Sequence, residues 1–486
     1  MTIDAWIAAH AARAPGSAAV FFEGEVWSYG ELADRIDARA AALLAAGMRR
    51  GDRVAWLGLN HPEVFTLLFA CARIGAVLAP LNWRLAAAEM TRIVEDSAPR
   101  LILHDDELAH RAAGLAAPGR AIAHHGGAIP PLAETSEGSG APEGALLLVY
   151  TSGATGRPKG VVLSQTAIAA NAEMSVAAHG MTGADRALVV LPLFHVGGLN
   201  ILPTPAFSIG AAVELHRRFD PLAALTALGG GATLAIMVPT VLQAIMATEG
   251  WAETRLGAVR AISIGSTDVP RELIDMVHAR GVPMMQIYGA TETGPFAVYQ
   301  GVHDAMATAG SIGREGALCR VRLMRPDGGE AQAGEPGEIW VKGPNILSAY
   351  WRNAEETAHA ITDGWFHTGD IALRDEAGLY WFKDRIKHVV ISGGENIYPA
   401  ELERVLRSHP KVAEAAVVGR PDPGWGEIPV AVVVRKGDLT ETEVLLAFNG
   451  VLARYKHPRA VVFVEALPRN AMGKVVAADV RKMIGA

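Results

Sequence analysis

Between residues 52 and 105, short apolar runs alternate with longer amphipathic ones: "DRVAWLGL", "PEVFTLLFACARIG", "AVLAPL", "AAAEMTRIVEDSAP", "RLILHD". The short runs have the length of buried strands. The longer runs have helical spacing, and the first of them carries proline in its first turn and glycine after its last. Parallel strands need a crossover of a dozen or more residues, which a helix supplies. This alternation therefore predicts parallel sheets covered by helices. A second series of strand-like runs follows at 187–191, 211–214, 234–238, 261–264 and 284–287, with helical spacers between.

The remaining chain narrows this. At 486 residues it is long enough for several domains. Half the residues are apolar and the net charge is −7, so there is no basic field to attract nucleic acid. Cys71 stands between alanines and Cys319 between Leu318 and Arg320; both read as buried hydrophobes in a reduced compartment. The start, "MTIDAWIAAHAARAPG", reads as a short amphipathic helix and not as an export signal. Residues 66–83 are broken by Arg73 and Pro80. Residues 221–248 hold no charge, but three consecutive glycines and Pro239 interrupt them. Helix, strand and helix are expected there and not a membrane span, and a cytoplasmic location is expected for the chain. Residues 116–144, rich in Gly, Pro, Ser and His, read as a surface connection. After residue 301 the pattern turns to antiparallel hairpins, and after 387 to short strands and helices.

One stretch does not fit a simple strand or helix. "VYTSGATGRPKGVVLS" (149–164) sets three glycines, hydroxyls and two cations between apolar runs. Backbone N–H groups near glycine can converge on an anion, and Thr151, Ser152, Thr155 and Lys159 add donors and charge. The loop fails the Walker A pattern, because Lys159 stands between Pro158 and Gly160. Alone, it reads equally well as a solvated turn. Six further segments accompany it: "LPLFHVGGL" (191–199), "IYGATETG" (287–294), "GEIWVKGPNILSAYW" (337–351), "GWFHTGD" (364–370), "DRIKHVVISGGENIYPAELE" (384–403), and "PRNAMGK" (468–474). In composition and order these resemble the motifs of the adenylate-forming enzymes: acyl-CoA synthetases, firefly luciferase and the adenylation domains of peptide synthetases. Ala154 departs from that pattern, since it stands where the family usually has a hydroxyl.

The resemblance implies an α/β fold. It comprises a large N-terminal domain of mainly parallel sheets covered by helices (1–384) with a small β-barrel-like subdomain. A hinge follows at 385–388 with Lys387 as pivot, then a small mobile α+β C-terminal domain (389–486). It implies AMP-forming ligation, in which a carboxylate attacks the α-phosphorus of ATP and coenzyme A then displaces AMP from the acyl-adenylate. By position in the motifs, Thr151, Ser152, Gly153, Thr155, Gly156 and Lys159 would hold the β- and γ-phosphates. Glu292 would hold Mg²⁺. Thr291 would touch the α-phosphate. Gly265, Ser266, Tyr288 and Gly289 would surround the adenosine, with Tyr288 stacked on adenine. Asp370 would accept the ribose hydroxyls, with Arg385 nearby, and Lys474 would bridge the α-phosphate and the acid. Gly393 and Gly394 would admit the pantetheine arm. Without the resemblance, Tyr288 reads as a core aromatic, Asp370 as a turn aspartate and Lys474 as a solvated lysine.

The acyl pocket would be walled by His195, Gly197, Asn200, Val238, Gly265, Gly289 and Pro295, with Gly197, Gly198, Gly265 and Gly289 leaving room. His195 reads either as a ring that turns between half-reactions or as a hydrogen-bonded core residue, and only weakly as a general base. No arginine or lysine lies in 195–201, 238–242, 265–267 or 288–295. A second carboxylate would be left unpaired there at a cost of several kcal/mol. An aromatic acid of the cinnamate or ferulate kind is expected. A medium-chain fatty acid, or loading of a carrier protein in place of coenzyme A, stays open. The partners are then the acid, ATP and coenzyme A. The residues fix no oligomeric state, and a homodimer is compatible with them.

Overall fold

The computed structural model describes residues 3–133, 140–152, 158–265, 269–392, 395–470 and 473–485. In it, the first series folds as parallel strands Arg53–Leu57, Val77–Pro80 and Leu101–His104. Every residue of the first two is buried, as strands covered on both faces require. Helix Glu63–Ile74 stops at Gly75, whose φ of +73° gives a left-handed cap; its N–H returns to Cys71 O. Helix Ala87–Ser97 buries Met90, Ile93 and Val94 on one face. These strands belong to a seven-stranded sheet ordered 349–350, 158–164, 145–152, 77–80, 53–57, 101–104, 121–124. The second series supplies the parallel centre of a nine-stranded sheet, with 284–288, 261–265, 234–237, 186–189, 212–215 and 18–22 adjacent in that order. The uncharged stretch folds as helix Pro221–Gly229, strand Leu234–Met237 and helix Pro239–Met246. Among the described residues, no helix is long and apolar enough to cross a membrane.

Two elements depart from the sequence reading. The connection at 116–144 contains strand Ala121–His124, which pairs in parallel with Leu101–His104. It lies at the sheet edge with only Ala123 buried, so it carries no apolar signature. The strands Ala18–Phe22 and Glu25–Ser28 form a hairpin through Glu23 and Gly24, and their short runs have no sustained period.

The chain divides into two compact units, Met1–Val321 with Trp340–His367, and Arg322–Ile339 with Thr368–Ala486. The second unit contains a sheet in which Val412–Asp422 and Gly426–Arg435 pair along most of their length, and Ala460–Val464 lies parallel beside the latter. Helix Pro399–Arg407 buries Leu402 and Leu406 completely, and Val405 packs against the same core. The opposite face of the sheet is closed by Leu467 and Val480. The architecture is thus mixed α/β, with helix-covered parallel sheets and a separate C-terminal domain.

Candidate active site

The glycine-rich stretch closes a hairpin. Strand Ala145–Ser152 runs antiparallel to Pro158–Ser164, and the register sets Thr151 opposite Lys159. Gly153, Thr155 and Gly156 lie outside the described residues, as do Ser266, Gly393, Gly394 and the side chain of Ser152. Lys159 is held at the hairpin's second strand, and its ammonium is paired with Glu356.

Strand Ala349–Tyr350 pairs with the outer side of that hairpin, Tyr350 opposite Val161. This brings Tyr350 beside two expected site residues. Its hydroxyl donates to Glu292 Oε1 at 2.9 Å, and its ring centroid lies 5.4 Å from Lys159 Nζ. Burial, and the Glu292 carboxylate next to it, push the phenol far above its usual range, so Tyr350 stays a donor. Leu347 N donates to Glu292 O at 2.7 Å. Glu292 is therefore tied at both its backbone and its carboxylate. Among the described residues no cluster of three or more His, Cys, Asp or Glu could hold a metal. A single held carboxylate suits Mg²⁺, which is bound by one or two carboxylates together with substrate phosphates.

Glu292 lies in the short 3₁₀ turn Thr291–Thr293, after strand Met284–Tyr288. Three asparagines, each completely buried, hold the chain just beyond it. Asn200 Nδ2 donates to Gly294 O at 3.0 Å. Asn345 Nδ2 donates to Thr293 O at 3.0 Å and Phe296 O at 2.6 Å. Asn171 Oδ1 accepts from Phe296 N at 3.2 Å, and its Nδ2 donates to Asn200 O at 2.6 Å. Thr204 Oγ1 donates to Asn200 Oδ1 at 3.2 Å. The Asn200 amide, expected in the acyl wall, is thus committed to the backbone of the 294 turn and to Thr204.

The expected roominess of the glycines has a different origin. A Cβ on Gly289 would fall 1.7 Å from Pro295 O, one on Gly198 2.3 Å from Pro192 O, and one on Gly265 2.5 Å from Ile287 O. Chain packing fills those places. At Gly197 the nearest atom is His195 Nδ1, at 3.1 Å. His195 precedes helix Val196–Asn200, and its Nδ1 accepts from Gly197 N at 3.0 Å. That bond places the proton of the neutral ring on Nε2. Val238 lies at the end of strand Leu234–Met237, and Pro295 is buried in the 294 turn.

In the second unit, strand Trp365–Arg374 sets Asp370 opposite Arg385 on Tyr380–Arg385. Arg385 Nε meets Asp370 Oδ1 at 2.7 Å, and Asp370 is 4% exposed. Asp384 receives Arg385 N at 2.7 Å and Ala400 N at 2.8 Å, which ties this strand to helix Pro399–Arg407. Lys387 sits in the 3₁₀ turn Ile386–His388. Lys474 is exposed by area, with its backbone N–H on Asn470 Oδ1 at 3.0 Å. Crowding strips water from its ammonium; Arg385 and Lys387 repel it and Asp370 attracts it. The net effect pushes its pKa down to about 8.

Tyr350, Glu356, Asn171 and Asn345 were not singled out from the sequence. Asn171 left a trace: with Ser175 and His179 it forms a polar i, i+4, i+8 stripe on the buried face of helix Gln165–His179. Asn345 left none beyond its motif, and Glu356, between the 337–351 and 364–370 motifs, left none.

Comparison with known proteins adds the following. The AMP-binding enzyme family matches residues 7–351, and the AMP-binding enzyme C-terminal domain matches 401–474. An indoleacetate–CoA ligase of Aromatoleum aromaticum is 43% identical over 100% of this chain and 98% of its own. A feruloyl-CoA synthase of Amycolatopsis sp. is 40% identical, over 99% of each. The o-succinylbenzoate CoA synthetase of Bacillus subtilis, solved with its acyl-adenylate intermediate, superimposes with a TM-score of 0.87 at 31% identity, over 98% of this chain and 97% of that one. The same enzyme, solved with ATP and magnesium ion, gives 0.86 at 30% identity, over 98% and 99%.

Proposed function

This chain belongs to the AMP-binding enzyme family and is an AMP-forming acid–thiol ligase using ATP, Mg²⁺ and coenzyme A, and on that premise we propose that its acid is aromatic, of the cinnamate or ferulate kind. The observation carrying this choice is the absence of lysine and arginine from the four segments of the acyl wall. A flat, singly charged acid leaves no buried charge unpaired there. The names of the relatives, indoleacetate and feruloyl, support it.

In this reading the hairpin loop with Thr151, Ser152, Gly153, Thr155, Gly156 and Lys159 binds the β- and γ-phosphates. Glu292, aimed by Tyr350, holds Mg²⁺, which when bound neutralises charge on the phosphates and on the departing pyrophosphate. Thr291 contacts the α-phosphate, Tyr288 the adenine, and Asp370 with Arg385 the ribose. Lys474 offsets charge as the carboxylate meets the α-phosphate. No covalent enzyme intermediate is needed, because the adenylate's mixed anhydride is already activated toward a thiol. The protein's work is to align, neutralise and exclude water. His195, as an Nε2 donor, borders the acyl group. Lys387 is the pivot that lets Lys474 and the Gly393–Gly394 segment serve successive half-reactions.

The test is pyrophosphate release across a panel of acids, with and without coenzyme A. Cinnamate-type acids should drive release, and thioester should appear only with coenzyme A. A clear preference for medium-chain acids would replace the aromatic assignment. Release without thioester formation would point to a carrier protein as acceptor.

A further inference from the structure

Lys159 is already occupied by a carboxylate. Glu356 reaches it from helix Ala354–Ala360, and that carboxylate is not part of the glycine-rich hairpin. The helix start is fixed by Asn353, whose Oδ1 accepts Glu356 N at 3.0 Å. Both partners are largely shielded: the Lys159 side chain is 22% exposed and that of Glu356 29%. The ammonium also faces the Tyr350 ring, whose hydroxyl donates to Glu292. Lys159 therefore stands against a carboxylate in a place where phosphate oxygens are its expected partners.

A carboxylate resembles a phosphate edge in charge and in acceptor geometry. A pair of this kind at the solvent boundary is cheap to open, because both ions regain hydration. We propose that Glu356 is a resident stand-in for the terminal phosphates of ATP: it orders Lys159 when no nucleotide is bound, yields it to the β- and γ-phosphates, and recaptures it as pyrophosphate leaves. This rests on the reading that Lys159 binds those phosphates. Two consequences follow. Glu356 competes with ATP and with pyrophosphate, both through the ion pair and through repulsion between like charges. It does not compete with AMP, which lacks the phosphates in question.

The variant Glu356→Gln keeps the size of the side chain and the backbone bond to Asn353. Binding of ATP, pyrophosphate and AMP to the full chain would be measured by calorimetry in Mg²⁺ without acid substrate. Loss of one partly shielded competing pair should tighten ATP and pyrophosphate about three- to tenfold and leave AMP unchanged. Product inhibition by pyrophosphate should strengthen in parallel. Unchanged or weakened ATP and pyrophosphate binding, or equal tightening of AMP, overturns the proposal. Lys159→Ala separates this from the reading beneath it. It should weaken ATP and pyrophosphate by about tenfold or more, spare AMP, and reduce the effect of Glu356→Gln to the part due to repulsion alone when the two are combined. If Lys159→Ala leaves ATP and pyrophosphate binding unaltered, the phosphate role of Lys159 falls and the stand-in with it. If it weakens them while Glu356→Gln alone does nothing, only the stand-in falls.

Discussion

A lysine that must meet two anions is useful only while it is charged, and Lys474 holds its proton less firmly than a free lysine. Its pKa is pushed down to about 8 by lost hydration and by Arg385 and Lys387, against the pull of Asp370. The sign follows: below about pH 8 the free enzyme carries the ammonium, and above it the neutral amine. Since kcat/KM reports groups in the free enzyme, kcat/KM for adenylate formation should fall as pH rises through about 8. Lys474→Arg should remove that limb, because guanidinium stays charged. Lys474→Ala should slow adenylate formation about 10²- to 10³-fold, the range for loss of one preorganised charge donor. Thioester formation from supplied adenylate should be nearly unaffected; equal loss in both halves would exclude the assigned role. Tyr350→Phe tests the other end of the same chemistry. It deletes one bond to a charged carboxylate, worth about 1.5–3 kcal/mol, and keeps the ring beside Lys159. The Mg²⁺ concentration that half-saturates ATP binding should rise roughly tenfold, with acid affinity unchanged.

At the scale of elements, the turn bearing Glu292 is only three residues long and cannot hold itself. It is held from helix Gln165–His179, from the Val196–Asn200 segment and from the 343–350 segment by Asn171, Asn200 and Asn345. Further along the same helix, Ser175 Oγ donates to Ile201 O at 2.6 Å, and His179 Nε2 lies 2.6 Å from Ser263 Oγ. Asn345→Ala would leave two buried carbonyls without that donor and should lower unfolding stability by about 2–4 kcal/mol, measured in denaturant. Asn345→Asp is the informative partner, since it keeps volume and loses the donors; full retention of stability there would mean cavity formation and not hydrogen bonding sets the cost. The helices and strands of both series were legible because their apolar periods are long. The motif residues were legible because chemistry confines them to a few types in a fixed order. The asparagine set was not, because its main-chain partners lie 29 to 125 positions away, and every residue has such backbone atoms. Strand Ala121–His124 escaped for the opposite reason: its edge position demands too little burial to mark the sequence.

For the whole molecule, the two units differ in how they meet acid. The first buries imidazoles that resist protonation. Burial pushes His61 down to about 3, aided by His125, Arg217, Arg35 and His124. It pushes His125 down to about 4, where His124 and Arg39 oppose the proton and Asp105 and Asp106 favour it. His179 also falls to about 4 by burial, with Arg260 against and Asp185 for the charged form. The His61 and His125 ring centroids are 4.4 Å apart and His125 and His124 are 4.5 Å apart, so charging one ring hinders the next. Unfolded histidine titrates near 6.5. Above that value these groups cost nothing. As pH falls from about 6.5 toward 4, the unfolded chain gains protons that the folded chain refuses, and stability is lost. Glu63 works the other way. Burial raises it to about 7 against Arg39, so the folded state takes up one proton early and recovers part of the loss. Three imidazoles against one carboxyl leave about two protons in favour of the unfolded chain, a slope on the order of 2–3 kcal/mol per pH unit. In the second unit the carboxylates Glu401 and Glu443 are held below their usual range, by Lys456 and Lys383 and by Lys411 respectively. Their contribution is present above about pH 4.5 and is lost only as pH falls below it. Calorimetric unfolding at pH 7.5 and pH 5.0 should therefore show one transition moving sharply down while a smaller one stays. His61→Gln, which removes a titrating ring from the cluster, should flatten that movement. A single transition that shifts as a whole would mean that the two units unfold as one and that the imidazoles of the first set the acid limit of both.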